Sequence, residues 1–373
     1  MSHSKKLPDG HRPILNPGIA RTRYAPMFST RDGRMRGQLY ELIQRVGVRL
    51  ILPPGDAPYL VPGEPLVGEY ANGNTFPINK AALFTNTSKM PGPSFAIPAG
   101  PPSFGGTCQA AALGENVVRS RKILEERVGL PMQRMRLPVL QGADADEPEG
   151  DLGEAGLTPG VAASYDGDPS FVCRSCYALN ANYNYPSKQL NDMLHLAWIE
   201  YELAQGGPKR LGTALAYAIQ HVNITRKQGF QPYFRIHDAG DFHKAEYLEA
   251  WVVCASMMTH MRFWAPTRQW VFPHWVELIA SAVARTRAAG GWLVIRPSVL
   301  RIGDPVPMPA GMAAGSGVSA DDACVWVCPV YNKMVPKPQP DGSVKLEEAG
   351  SCLEASCTMC WDQPSVQVSY GAH

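Results

Sequence analysis

Cysteines supply the first chemistry this chain could do. Phe171-Val172-Cys173-Arg174-Ser175-Cys176-Tyr177-Ala178 sets two thiols two residues apart, with an aromatic ring directly after the second. In a reducing compartment such a pair is a metal clip or a redox couple. It cannot close a metal site alone, because tetrahedral zinc and four-iron clusters take three or four protein ligands. Partners stand on both sides: Cys108 upstream, and Cys324, Cys328, Cys352, Cys357 and Cys360 downstream. Cys352, Cys357 and Cys360 have the C-x4-C-x2-C spacing of plant-type iron–sulfur proteins, with Cys328 a candidate fourth ligand. The same four thiols suit structural zinc equally. Cys108, Cys173 and Cys176 then make a second group, and three thiolates on a 4Fe-4S cluster would leave one iron open. The competing reading gives Cys173 and Cys176 to the tail group and leaves Cys108 buried and inert. Cys254, set among Trp251, Val252 and Ala255, reads as core packing.

A second concentration of ionisable groups is His237-Asp238-Ala239-Gly240-Asp241-Phe242-His243. Asp238 is placed to orient the His237 imidazole, a bond that acid–base and metal sites both use. Gly240 permits close approach of backbone to a ligand. Asp241 either joins His237 and Asp238 in catalysis or caps a helix beginning near Lys244, with His237 then hydrogen-bonded in the core. Arg268, after an aromatic-rich strand, could hold a carboxylate or phosphate, or form a surface ion pair.

The elements that must position these groups are clearest in the second half. Leu190, Met193, Leu194, Ala197, Trp198 and Leu203 recur at helical spacing after Ser187, and Gly206-Gly207-Pro208 stops that helix. A second helix runs from about 209 to 226. Strands follow at 233–238, 262–267 and 292–296, with helices at 244–258 and 275–289 between them. This is the β-α-β-α-β pattern of a parallel sheet. Ligands bind at the carboxyl ends of such strands, which is where His237 to Asp241, Pro266 to Arg268 and Arg296 to Ser298 fall. The fold class is therefore α/β: a parallel β/α repeat, as partial barrel or open sheet, with an irregular N-terminal region and a cysteine-rich tail. We divide the chain into residues 1–80, irregular with short elements; 81–320, the α/β core; and 321–373, a metal-binding tail without period. Within the core, 94–97 reads as a strand, 110–126 as a helix and 141–170 as an acidic loop.

Composition narrows the class. A hydrophobic fraction of 45% over 373 residues can build a full core. No apolar run reaches the roughly 20 residues that span a bilayer. The first ten residues lack the apolar stretch of a secretion signal, so a reducing cytoplasm is expected, where clustered cysteines are metal ligands rather than disulfides. The net charge of +2 is uninformative. Arg119 to Arg136 carries a run of bases, which reads as a solvated helix face, with a nucleic-acid surface as the alternative.

Taken together, several segments resemble the gene product 88 family of bacteriophage-encoded proteins. They are Ser88-Lys-Met-Pro-Gly92 leading to Cys108, Cys173 to Ala178, Arg235 to Phe242, Phe263 to Arg268, Cys328-Pro329, and Cys357 to Trp361. The acidic insert after Cys108 and Gln109-Ala110 in place of Pro-Gly depart from that pattern. The layout is also distantly similar to radical S-adenosylmethionine enzymes, although their C-x3-C-x2-C triplet is absent. That similarity implies a 4Fe-4S cluster on Cys108, Cys173 and Cys176, with S-adenosylmethionine met by the Ala239-Gly240-Asp241 stretch. Tyr177, Gly240 and Arg268 are then the cofactor contacts, and Cys328, Cys352, Cys357 and Cys360 hold a second metal. The expected function is an iron–sulfur enzyme acting on a nucleotide or nucleic acid in the host cytoplasm. The alternatives are a structural zinc protein that binds nucleic acid or a protein partner, and a metal-dependent hydrolase using His237, Asp238 and Asp241.

Overall fold

The computed structural model describes residues 48–51, 67–70, 75–77, 84, 89–100, 106–114, 156–162, 164–165, 168–176, 178, 186–224, 231–318, 326–331 and 333–370. The first three strands, β1 (Val48–Ile51), β2 (Val67–Tyr70) and β3 (Thr75–Pro77), form an antiparallel sheet in that order. Only short elements were expected in this part of the chain. The basic segment and most of the acidic loop lie outside the described residues.

The core is a parallel sheet of β4 (Ser94–Ala96), β5 (Tyr233–Ala239), β6 (Arg262–Thr267) and β7 (Leu293–Pro297), hydrogen-bonded in chain order. All four were legible as strands in the sequence, but only the last three as one parallel repeat; β4 joins them at the edge. The crossovers carry α1 (Pro186–Ile224), α2 (Ala245–Met257) and α3 (Pro273–Ala288). The architecture is α/β, and among the described residues the sheet is open rather than closed into a barrel. α1 is two helices in tandem. Gly206 and Gly207 leave helical geometry (Gly207 at φ 65°, ψ −164°) and Pro208 restarts the helix, as the Gly-Gly-Pro sequence predicts.

Both faces of the sheet are covered, which is why β7 is buried along its whole length. On one face Phe234, Ile236, Phe263, Ala265, Leu293 and Ile295 join Leu215, Trp251 and Ile279 of the helices in one core. Each large apolar side chain buried there contributes about 1.5–3 kcal/mol. On the other face Trp264 and Val294 meet Trp361 from the C-terminal segment.

That segment is more structured than its sequence suggests. After β7 come β8 (Ser316–Val318), β9 (Trp326–Val327), the hairpin β10 (Met334–Pro338) and β11 (Val344–Glu348), a one-turn helix α4 (Met359–Asp362) and β12 (Val368–Tyr370). β12 lies between β8 and β9, parallel to both. One buried arginine binds this segment to the sheet. Arg296 on β7 donates through Nη1 to the carbonyls of Ala314 and Val366, through Nη2 to Met359 and Gln363, and through Nε to Cys360. The Trp361 indole donates to the Phe234 carbonyl of β5 at 3.0 Å.

One irregularity decides what β5 presents. Ser94 pairs with Arg235 but Ala96 pairs with Ala239, so two steps of β4 span four of β5. β6 follows β5 only through Arg235. The residues between, Ile236 to Asp238, bulge, and a bulge re-aims side chains.

Candidate functional site

Every strand of the parallel sheet sends something to its carboxyl edge. β4 leads to Cys108, whose N–H is held by the Gly100 carbonyl at 2.8 Å. It opens a 3-10 turn, Gln109–Leu113, where a helix was expected to begin at Ala110. Past the end of β5 stands Asp241, and past the end of β6 stands Arg268. The loop after β7 holds the Cys173 turn, Val172–Ser175, through the Val172 N–H and the Leu300 carbonyl at 2.8 Å. Cys176 packs beside Ala96, Ala178 and Ala239.

Cys108, Cys173 and Cys176 share one electrostatic neighbourhood despite their distance in sequence. Burial raises the Cys108 thiol well above its ordinary value, and Asp241, Cys176 and Cys173 raise it further. Burial lifts Cys173 to about 11, with Arg268 opposing and Cys176 and Asp241 adding to the rise. For Arg268 burial alone would favour the neutral form, but the facing Cys173, Cys176, Asp241 and Cys108 keep its affinity for the proton above the ordinary value. Thiols so firmly protonated are poor nucleophiles and poor redox couples. A bound cation is what would draw off their protons. Three thiolates against one guanidinium leave an excess of negative charge that a metal core of charge +2 would largely neutralise, so the donor set fits a thiophilic centre. Among the described residues no group of three His, Cys, Asp or Glu side chains is already gathered to hold a metal ion. The thiols are neighbours whose rotamers would have to converge on one.

Asp241 is a brace. Its Oδ1 accepts from Thr267 Oγ1 at 2.7 Å and from the Phe242 N–H at 2.8 Å, and its Oδ2 accepts from the Arg268 N–H at 2.8 Å. Its own N–H donates to Thr107 Oγ1. Three of about four acceptor positions are thus occupied by protein. Burial raises its pKa to about 6 against the pull of these bonds. It does not cap α2, whose first turn has no side-chain cap. Gly240 is required by the protein itself: at φ 82°, a Cβ would lie 2.4 Å from Ile97 Cγ1 and 2.7 Å from Thr107 Oγ1. The close approach expected there is of the β4 loop.

His237 and Asp238 part company at the bulge. His237 is 1% exposed. Its Nε2 lies 3.3 Å from the Tyr247 hydroxyl and its Nδ1 has no hydrogen-bond partner. Burial, with His243 and Arg235 nearby, lowers its pKa to about 3, so it is neutral. Asp238 pairs with Arg235 at 3.3 Å instead of orienting the imidazole. Tyr177 and Cys324 lie outside the described residues, and Cys254 is fully buried in α2.

Two features escaped sequence reasoning. Arg296 stood out as a strand-end ligand group, and nothing in its neighbours announced five carbonyl partners. Glu200 of α1 accepts from His243 Nε2 at 2.8 Å and from Lys244 Nζ. Burial would raise its pKa, but these bonds outweigh burial and lower it. The second histidine of the His237–His243 stretch was the available signal.

The tail thiols form a separate neighbourhood. Cys328, Cys352 and Cys357 pack around Val330, Ala349 and Ala355, while Cys352 and Cys360 pack against Trp264 and Trp361. Burial raises Cys328 to about 11 and Cys352 to about 12, each pushed further by Cys360 and Cys357. None of these four packs in the clusters that hold Cys108, Cys173 and Cys176.

A doubly covered parallel sheet with three thiols, an arginine and a braced aspartate along its carboxyl edge defines an α/β protein with a thiol-lined site. The gene product 88 family model matches residues 69–289, more than half of the chain, and the protein belongs to that family. No curated protein and no solved structure matches it. The matched range includes Cys108, Cys173, Cys176, Asp241 and Arg268 and ends before the tail thiols. No helix among the described residues is long and apolar enough to cross a membrane.

Proposed function

We propose that the protein is an iron–sulfur enzyme whose open cluster site is Cys108, Cys173 and Cys176. The observation that carries this reading is the shared electrostatic neighbourhood of three thiols, from segments about 65 residues apart, with Arg268 past the carboxyl end of β6. Ligands bind at that edge in parallel α/β sheets. A 4Fe-4S cluster held by Cys108, Cys173 and Cys176 would supply one-electron chemistry there. Arg268 offsets negative charge beside the thiols, and its side chain is held by Nε donating to the Val299 carbonyl at 3.1 Å. Asp241 fixes the backbone of Arg268 and ties the ends of β5 and β6. S-adenosylmethionine is the co-substrate that the layout suggests, with a nucleotide or nucleic acid as the acceptor class, which rests on the phage association of the family. The hydrolase alternative has weaker support, because His237 is sealed from solvent and most of the Asp241 acceptor capacity is taken.

Anaerobic purification followed by iron, acid-labile sulfide and electron paramagnetic resonance measurements tests the reading. Wild-type protein should hold about four more irons per chain than Cys176→Ala, and should cleave S-adenosylmethionine after reduction by dithionite. Equal iron in the two proteins, or none after reconstitution, would sink it.

A further inference from the structure

We infer that Cys328, Cys352, Cys357 and Cys360 form a closed four-thiolate centre for a thiophilic metal, which locks the C-terminal segment onto the sheet. This centre is separate from the three-thiol site and does not depend on it. The backbone between Cys352 and Cys357 is built as a clamp. The Cys357 N–H bonds the Cys352 carbonyl at 2.8 Å and the Ser356 N–H bonds the Leu353 carbonyl at 3.0 Å. This is the paired bonding of a Schellman turn, whose left-handed position is normally glycine. Here it is Ser356, at φ 52° the one non-glycine residue with positive φ among the described residues. Strained backbone of this kind gathers at ligand clamps.

The other two cysteines are fixed independently. The Cys328 N–H donates to the Ser369 carbonyl at 2.8 Å, which hangs it on β12. Cys360 lies in α4, with its Sγ 3.1 Å from the Tyr370 hydroxyl, also on β12. Tyr370 packs against both clusters that hold these cysteines. No three of the four side chains are yet gathered on one point, so ligation would draw them together by rotamer changes.

The sheet beneath is suited to a negative centre. Four thiolates and a divalent ion carry a net charge of −2. Arg296 of β7 donates through Nε to the Cys360 carbonyl at 3.3 Å, and the Arg235 guanidinium of β5 lies 5.1 Å from the centre of the Trp264 ring. Between them Trp264 of β6 is 3% exposed, and its indole Nε1 has no hydrogen-bond partner. A buried N–H beside thiols is a ready donor to a metal-bound sulfur. Each cysteine would release its proton to solvent as it ligates. Cys352 is also tied through its N–H to the Lys89 carbonyl at 2.8 Å. With four protein thiolates no coordination position is left open, which makes the centre structural.

The test uses full-length Cys173→Ala/Cys176→Ala, so that the three-thiol site is removed. After anaerobic purification, zinc, iron and sulfide are measured, and cobalt(II) is titrated into chelator-treated protein. We expect about one metal centre per chain, a near-ultraviolet thiolate-to-cobalt band, and at least tenfold less retained metal when Cys357→Ser is added. Zinc without sulfide identifies a single-ion site, and iron with sulfide a cluster; either supports the centre. A folded double variant that binds neither zinc, iron nor cobalt overturns it. Should the double variant not fold, cysteine alkylation on wild-type protein with and without chelator replaces it. Labelling of all four tail cysteines should then rise together at least tenfold while Cys254 stays unlabelled, and unchanged labelling overturns the inference. A loss of iron with Cys176→Ala that leaves the tail centre intact, or the reverse, separates this inference from the proposed function.

Discussion

Replacing Arg296 with methionine asks whether one buried guanidinium holds the C-terminal segment to the sheet. The residue is fully buried, and its five bonds to carbonyls run from 2.6 to 3.3 Å. Methionine keeps much of the volume and offers no donor. The Met359 and Gln363 carbonyls keep a second donor in the Gln363 and Val366 N–H groups. At most three carbonyls are then stripped, at about 1–3 kcal/mol each, or about 3–9 kcal/mol in all. That approaches the whole stability of an ordinary domain. A cheaper route exists, because the segment can lift away and let water reach the carbonyls. The loss is therefore capped by the docking energy of the segment, and we expect about 3–5 kcal/mol, the range for stripping a partner from a buried charged contact. Urea titration followed by tryptophan fluorescence reads the loss, since Trp264 and Trp361 lie 5.2 Å apart only while docked. Limited proteolysis should cut the variant beyond β7 before the core yields. A loss under about 1 kcal/mol, with the segment uncut, would refute the reasoning. Arg296→Lys should fall between, because a lysine has three donors on one point and cannot span the same carbonyls.

Four further outcomes follow from the same structure. His237 has a folded-state pKa of about 3, so as pH falls below its ordinary 6.5 the unfolded chain takes up the proton first; stability should drop between about pH 6.5 and 3, by up to about 5 kcal/mol. His237→Phe removes that loss and an unpartnered Nδ1, and its denaturation midpoint should be flatter with pH than that of wild type. Asp241 acts oppositely: its pKa of about 6 lets the folded state bind a proton first, so its contribution grows as pH falls from about 6 to 4, and Asp241→Asn should make acid destabilisation steeper. Gly240→Ala, at positive φ and against Ile97, should lower stability by about 3 kcal/mol in thermal melts. Ser356→Gly should raise it by about 0.5–1 kcal/mol by relieving the left-handed strain, and an unchanged or lower midpoint would count against strain at that turn.

The β/α repeat was legible because its signals are local and redundant. Tyr233–Ala239, Arg262–Thr267 and Leu293–Pro297 combine apolar runs with helices of clear period between them, and they fall within a residue or two of expectation. Ser94–Ala96 was legible as a strand but not as part of the same sheet, since more than 130 residues separate it from its partner β5. The grouping of cysteines into three and four followed from spacing and the reach of loops. The fate of His237 was hidden because two-residue alternation cannot show a bulge, and the bulge alone sends it toward Tyr247 and away from Asp238. The C-terminal segment looked aperiodic because its strands are two to five residues long. Its order comes from Arg296 and Trp361, each a long-range contact that no local pattern encodes.

Docking of the last strands onto the sheet sets a clock for synthesis. Trp264 leaves the ribosome nearly a hundred residues before Trp361, the ring that covers it. At about 5–20 residues per second, that apolar face waits roughly 5–20 s without its cover. During this time the nascent chain shows a flat hydrophobic surface with Arg235 and Arg296 on it, as a chaperone client does. The C-terminal residues therefore act as the closing step of folding, and truncating them should produce an aggregating chain rather than a shorter folded protein.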